Sequence, residues 1–193
     1  MGVGRGVMLS VRGVQIFPID PERTLSEGLA DLAFLVCFLL WVYETLAFAI
    51  PLGFHLVPTP ARVAVLDATA AKIVGALAMA AGLAVYGLAL RAFGAAWRLG
   101  IDRDHPGELV TGGIFARSRN PVYLGLALVV VGAFLVLGKR VLLALAIVFV
   151  VYFQHLIRRE ERFLVAHYGD AYREYAARVG RWWSFGRAER GTR

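Results

Sequence analysis

The stretch PVYLGLALVVVGAFLVL (Pro121–Leu137), Gly138-Lys139-Arg140, VLLALAIVFVVYFQHLI (Val141–Ile157) decides the fold. Its two apolar runs have 17 residues each, or about 25 Å of helix at the standard rise. That is close to the shortest helix able to cross a bilayer. Three residues between them leave room only for a tight antiparallel hairpin. Upstream lie two longer apolar runs, Leu29–Ile50, closed by Pro51 and Gly53, and Ala71–Phe93, rich in alanine. The chain therefore reads as all-α: a polytopic membrane bundle of four transmembrane helices.

Composition agrees. Hydrophobic residues make up 59% of the 193, above the share of ordinary soluble domains. A single soluble core of this size cannot bury so much apolar surface. The single cysteine, Cys37, lies within an apolar run, and no Cys/His cluster has zinc spacing, so neither a disulfide nor a metal is expected. A formal charge of +7 and a pI near 10 fit a positive face beside anionic lipid headgroups better than a nucleic-acid partner.

The basic residues set the orientation. Arg5, Arg12 and Arg23 precede the first run; Arg98, Arg103, Arg117 and Arg119 fill the second connection; many more follow Arg158. Both termini are expected in the cytoplasm, with Lys139 and Arg140 at the hairpin tip as the exception. The first 28 residues lack the apolar core of a cleavable signal, so the first helix reads as an uncleaved anchor. Lys72 and Lys139 are the two lysines among 21 basic residues, a bias that suggests a GC-rich genome and a bacterial inner membrane.

The division along the chain is an arm (1–28), two supporting helices (29–93), a cofactor-binding half (94–183) and a basic tail (184–193). In residues 71–93, Gly75, Ala78, Gly82 and Gly87 allow close helix contact. They are read as an intramolecular seam, with a homo-oligomer seam through 71–93 as the alternative. Residues 94–120, with Asp102, Asp104 and His105-Pro106-Gly107, are too polar to span and too long for a plain turn. Tyr168, Tyr172, Tyr175, Val179 and Trp182 recur at helical spacing, with Arg and Glu opposite. A C-terminal amphipathic cytosolic helix follows from that stripe, on the membrane surface or capping the bundle. Glu44, toward the outer end of its helix, is expected to be exposed at the interface or hydrogen-bonded to a neighbouring helix.

Two segments carry chemistry. In the first, LVTGGIFARSRNPVYLG (Leu109–Gly125), glycines permit close backbone approach, and Arg119 offers a forked cation for a carboxylate or phosphate. Asn120 is a natural N-cap before Pro121. In the second, QHLIRREERFL (Gln154–Leu164), Glu160 and Glu161 need cationic partners if they face the bundle. The hairpin brings Arg119 to the same end. His155 is a candidate that packing at a helix end explains equally well.

With Tyr168-Gly169-x-x-Tyr172-x-x-Tyr175, these motifs make residues 90–183 resemble the isoprenylcysteine carboxyl methyltransferase family, of which phospholipid N-methyltransferases are broader relatives. The resemblance implies an S-adenosylmethionine-dependent enzyme methylating a carboxylate, amine or hydroxyl of a lipophilic acceptor, prenylated or lipid-like. It implies Leu109, Val110, Gly113, Arg119, Asn120, Pro121, Tyr123, Gly125, His155 and Glu160 around the cofactor, and Arg119, Glu160 and Glu161 as catalytic residues. Asn120 departs from it, since the family commonly has a titratable histidine there. Membrane sterol reductases using NADPH share an Arg-x-Pro-x-Tyr-x-Gly segment, and a non-catalytic membrane scaffold is the third alternative.

Overall fold

A computed structural model describes residues 24–50, 56, 68–93 and 109–184, together with the backbone of 10–11 and 14–15. Asp102, Asp104 and His105 lie outside the described residues. Among the described residues, apart from a two-residue antiparallel pair, Ser10–Val11 with Val14–Gln15, the regular structure is helical: α1 (Leu25–Ala49), α2 (Thr69–Phe93), a 3₁₀ turn (Gly113–Ala116), α3 (Pro121–Leu137), α4 (Arg140–Tyr168) and α5 (Asp170–Arg178). Among the described residues three helices, α1, α2 and α4, are long and apolar enough to cross a membrane, and α3 is a shorter apolar helix beside them. The molecule is a helical membrane bundle.

Helix bounds follow local chemistry more than hydropathy. α1 begins four residues before Leu29, because Thr24 and Glu27 form a reciprocal capping box. α3 runs over its predicted residues, set by Pro121 at its first turn and by Gly138, whose φ of 65° closes it. α4 does not stop at Ile157. Arg, Glu, Leu and Ala are good helix formers, so the helix continues into polar sequence until Gly169, at φ 55°. α4 is thus 29 residues against 17 for α3, an overhang of about 18 Å at the helical rise.

α2 and α3 pack through reciprocal glycines. A Cβ on Gly75 would lie 2.7 Å from the Gly132 carbonyl oxygen, and one on Gly82 2.6 Å from that of Gly125. The converse placements meet Gly75 and Gly82 at 2.6 and 2.7 Å. Both pairs need bare backbone, so the small-residue face of α2 is taken up within the chain. Gly87 stands apart, with nothing within 4 Å of its Cβ position.

α1 docks on α4 through aromatic rings. Phe34 stacks on Tyr152 at 4.2 Å and meets Phe149 edge-on at 5.3 Å. The Tyr152 hydroxyl donates to Asp31, and Arg159 lies 4.0 Å from Glu27. At the far end Lys139 sits over the Phe48 ring. Val130, Ala146, Phe149 and Phe153 form the core between these layers. Glu44 is fully buried and has a partner within the protein, so interfacial exposure is excluded.

Candidate functional site

The hairpin places the start of α3 beside the polar end of α4, and the chain after α5 returns to the same place. The Arg119 amide donates to the Gly180 carbonyl at 3.1 Å, and the Ser184 amide to the Arg117 carbonyl at 2.7 Å. Residues 180–184 thereby strap the segment leading into α3. Ser118 is fully buried beneath the strap, its hydroxyl accepting from the Asn120 amide at 3.1 Å.

Glu161 is the hub. Arg181 grips both carboxylate oxygens, with Nη2 at 2.6 Å from Oε2 and Nε at 3.1 and 3.2 Å from the pair. Arg119 approaches Oε1 at 3.3 Å, and the Asn120 amide nitrogen reaches the same oxygen at 3.5 Å. A forked contact of this kind gives directional, charge-assisted bonds. The pairing of Arg119 with the Glu-Glu motif expected from the hairpin is therefore present, through Glu161. Glu160 takes a different partner, the hydroxyl of Tyr123.

Asn120 occupies the N-cap position of α3 but makes no side-chain capping bond. Its amide turns instead to Glu161 and to the Arg181 carbonyl, at 3.2 Å. Holding Nδ2 on these two acceptors fixes the side chain's orientation, and its Oδ1 accepts from none of the helix's amides, which corrects the capping role.

α5 covers the site. Tyr172, Tyr175 and Val179 are buried in a cluster with Leu109, Leu164, Val165 and Tyr168, so the predicted aromatic stripe caps the bundle. The Tyr175 hydroxyl donates to the Phe115 carbonyl at 2.7 Å, and Tyr172 is hydrogen-bonded to Arg119. Burial raises both phenols above the usual tyrosine range; at Tyr172 the nearby Glu161 charge adds to this and Arg119 opposes it. The Arg181 guanidinium is also held above its ordinary value, first by its hydrogen bonds to Glu161.

Of the residues expected around a cofactor, Arg119, Asn120, Pro121, Tyr123 and Glu160 meet at this corner, joined by Glu161. Leu109 packs under α5, with Val110 next to it. Gly113 has φ 60° and lies against Ala92 of α2. Gly125 faces α2 rather than the corner, in the seam with Gly82. His155 is exposed on α4 and lines a cleft of about 630 Å³ with Arg158, Glu161, Arg162, Val165 and Arg181. Sequence pattern alone marks none of Arg181, Ser118, Arg158 and Arg162 as a site residue. Arg181 reaches the site on the irregular strap after α5, which leaves no periodic signal.

With this geometry in place, comparison with known proteins is informative. The model of one family, Phospholipid methyltransferase, matches residues 70–171, more than half of the chain. The chain belongs to the phospholipid methyltransferase family. The family span takes in α2, α3 and α4 and stops just before Tyr172, so the Arg181 strap lies beyond it. Protein-S-isoprenylcysteine O-methyltransferase of Schizosaccharomyces pombe is 37% identical over 79 residues, 40% of this chain. The chain spans only 33% of the length of that curated relative.

One atom bears on the cofactor that the family implies. The Arg119 Nε is buried and, among the described residues, has no hydrogen-bond partner, an expensive state for a charged group. An anionic group such as an α-carboxylate fits it. Glu160 and Glu161 are already engaged, so hydroxyl or ammonium groups reach them only as those bonds rearrange.

Proposed function

We propose that this chain is an S-adenosylmethionine-dependent membrane methyltransferase acting on a carboxylate, amine or hydroxyl of a lipophilic acceptor, prenylated or lipid-like. Family membership supports the chemistry, and the observation that carries the site is Arg119, paired with Glu161 on one edge and left with a buried, unpartnered Nε. Residues 94–183 form the cofactor-binding half in this reading. Both termini lie on the cytoplasmic side, as the arginine distribution implies, and the composition points to a bacterial inner membrane.

S-adenosylmethionine supplies a methyl group already activated on its sulfonium. The protein's work is then to hold, orient and exclude water. Arg119 would take the α-carboxylate, and Leu109, Val110 and Gly113 would border the cofactor through their backbone. Arg181 and Asn120 keep Glu161 fixed, so that Arg119 is held from one side. A carboxylate acceptor has no proton to lose and needs only charge compensation. An amine or hydroxyl acceptor needs a proton acceptor, for which Glu161 or His155 would be the candidate. Asn120 cannot titrate, so no proton passes through that position.

Titration calorimetry of S-adenosylhomocysteine into the purified chain is the direct test. Micromolar binding that disappears in Arg119→Ala, with thermal stability retained, is the expected result. NADPH binding without S-adenosylhomocysteine binding would sink the proposal.

A further inference from the structure

One face of α4 changes character along its length. Ile147, Val151, His155, Arg158 and Arg162 follow each other at spacings of four, four, three and four, so they form a single helical stripe. Its first part is apolar and open, with Ile147 56% and Val151 64% exposed. Its second part is basic, and it forms a wall of the 630 Å³ cleft that Arg181 closes from the other side. Among the described residues neither Arg158 nor Arg162 is paired with a carboxylate. The acidic group in the cleft, Glu161, is already met by Arg181 and Arg119, so the cleft keeps a net positive charge.

We infer that this stripe binds one acidic phospholipid, its phosphate in the cleft at Arg158, Arg162 and Arg181 and an acyl chain along Ile147 and Val151. The distances agree. Val151 and Arg158 are about 10 Å apart along the helix, a span that takes a lipid from its upper acyl carbons to its phosphate. Charge complementarity selects the headgroup, because a zwitterionic lipid brings a second cation into a cleft already rich in them. Such binding does not require methyl transfer, and it is read by a different measurement.

The purified full chain in a neutral maltoside detergent, titrated with short-chain phosphatidylglycerol or phosphatidylcholine and followed by native mass spectrometry, provides the test. Phosphatidylglycerol should bind at least about tenfold more tightly, and R158A/R162A should lose that preference, each surface arginine being worth about fivefold near an anionic headgroup. R158Q alone, one exposed side chain, carries the same test if the double variant does not fold. Equal binding of the two lipids, or a preference that survives both variants, overturns the inference. Inorganic phosphate competing as well as the lipid also overturns it, since the apolar half of the stripe would then contribute nothing.

Discussion

Arg119 and Glu161 meet at 3.3 Å across the open end of a helical hairpin, one at the entry to α3 and the other in the polar part of α4. The contact converts the hairpin's antiparallel direction into a fixed site, with Arg181 and Asn120 closing on the same carboxylate. Replacing Glu161 by Ala strands these donors in a half-buried place. Glu161→Ala is expected to lose about 2–3 kcal/mol, seen as a lower Tm in detergent. Adding Arg181→Ala to it should cost much less than the two single losses summed, because the partners act as one unit.

Asn120→Asp tests the reassigned amide. It would set a second carboxylate within reach of Glu161 Oε1 and facing the Arg181 carbonyl, where Asn120 now donates. A larger fall in Tm than for Asn120→Ala is expected at pH 7. If the aspartate variant were the more stable, a capping role for this side chain would have to be restored.

The seam between α2 and α3 separates two kinds of glycine. Gly82→Ala pushes a Cβ to 2.6 Å from a backbone oxygen, which no rotamer change relieves. About 1–3 kcal/mol should be lost. Gly87→Ala meets nothing within 4 Å and should be neutral or stabilising by up to about 1 kcal/mol. Thermal melts of the two variants side by side check both signs.

Tyr172 and Tyr175 should titrate above the ordinary tyrosine range, because both phenols are buried. A phenol whose pKa is raised on folding favours its neutral form in the folded protein. Its contribution is complete below pH 10 and is lost as the pH rises through the folded value. Difference absorbance of wild type against Tyr172→Phe and Tyr175→Phe should therefore show late ionisation, and Tm should fall steeply only in that alkaline range. Ordinary titration near 10 in both difference spectra would contradict the burial of the α5 face.

The legible and illegible parts of this molecule differ for physical reasons. α3 was readable to the residue because proline and glycine punctuate it. The end of α4 was not, because an apolar run ends where the lipid would end, whereas a helix ends where backbone geometry does, here at Gly169. The meeting of Arg119 with the Glu160-Glu161 pair followed from hairpin direction alone. Which glutamate it chose did not follow, since Tyr123 takes Glu160 and Arg181 orients Glu161. Arg181 was invisible because an irregular strap has no period. Tyr172, Tyr175 and Val179 were readable as one buried face, though the helix breaks at Gly169 and ends before Trp182.

The short α3 has a consequence for the bilayer itself. Its 17 residues span about 25 Å, whereas a typical hydrocarbon core is about 30 Å thick. Hydrophobic mismatch of this sign is relieved by local thinning rather than by tilt. Lipids around the hairpin would then dip toward Arg119, so that an amphiphile's polar end has less far to rise to meet it. If the chain is the methyltransferase proposed above, a membrane's thickness would become a control on its activity: thin bilayers should favour turnover, and thick, ordered ones should hold acceptor and arginine apart.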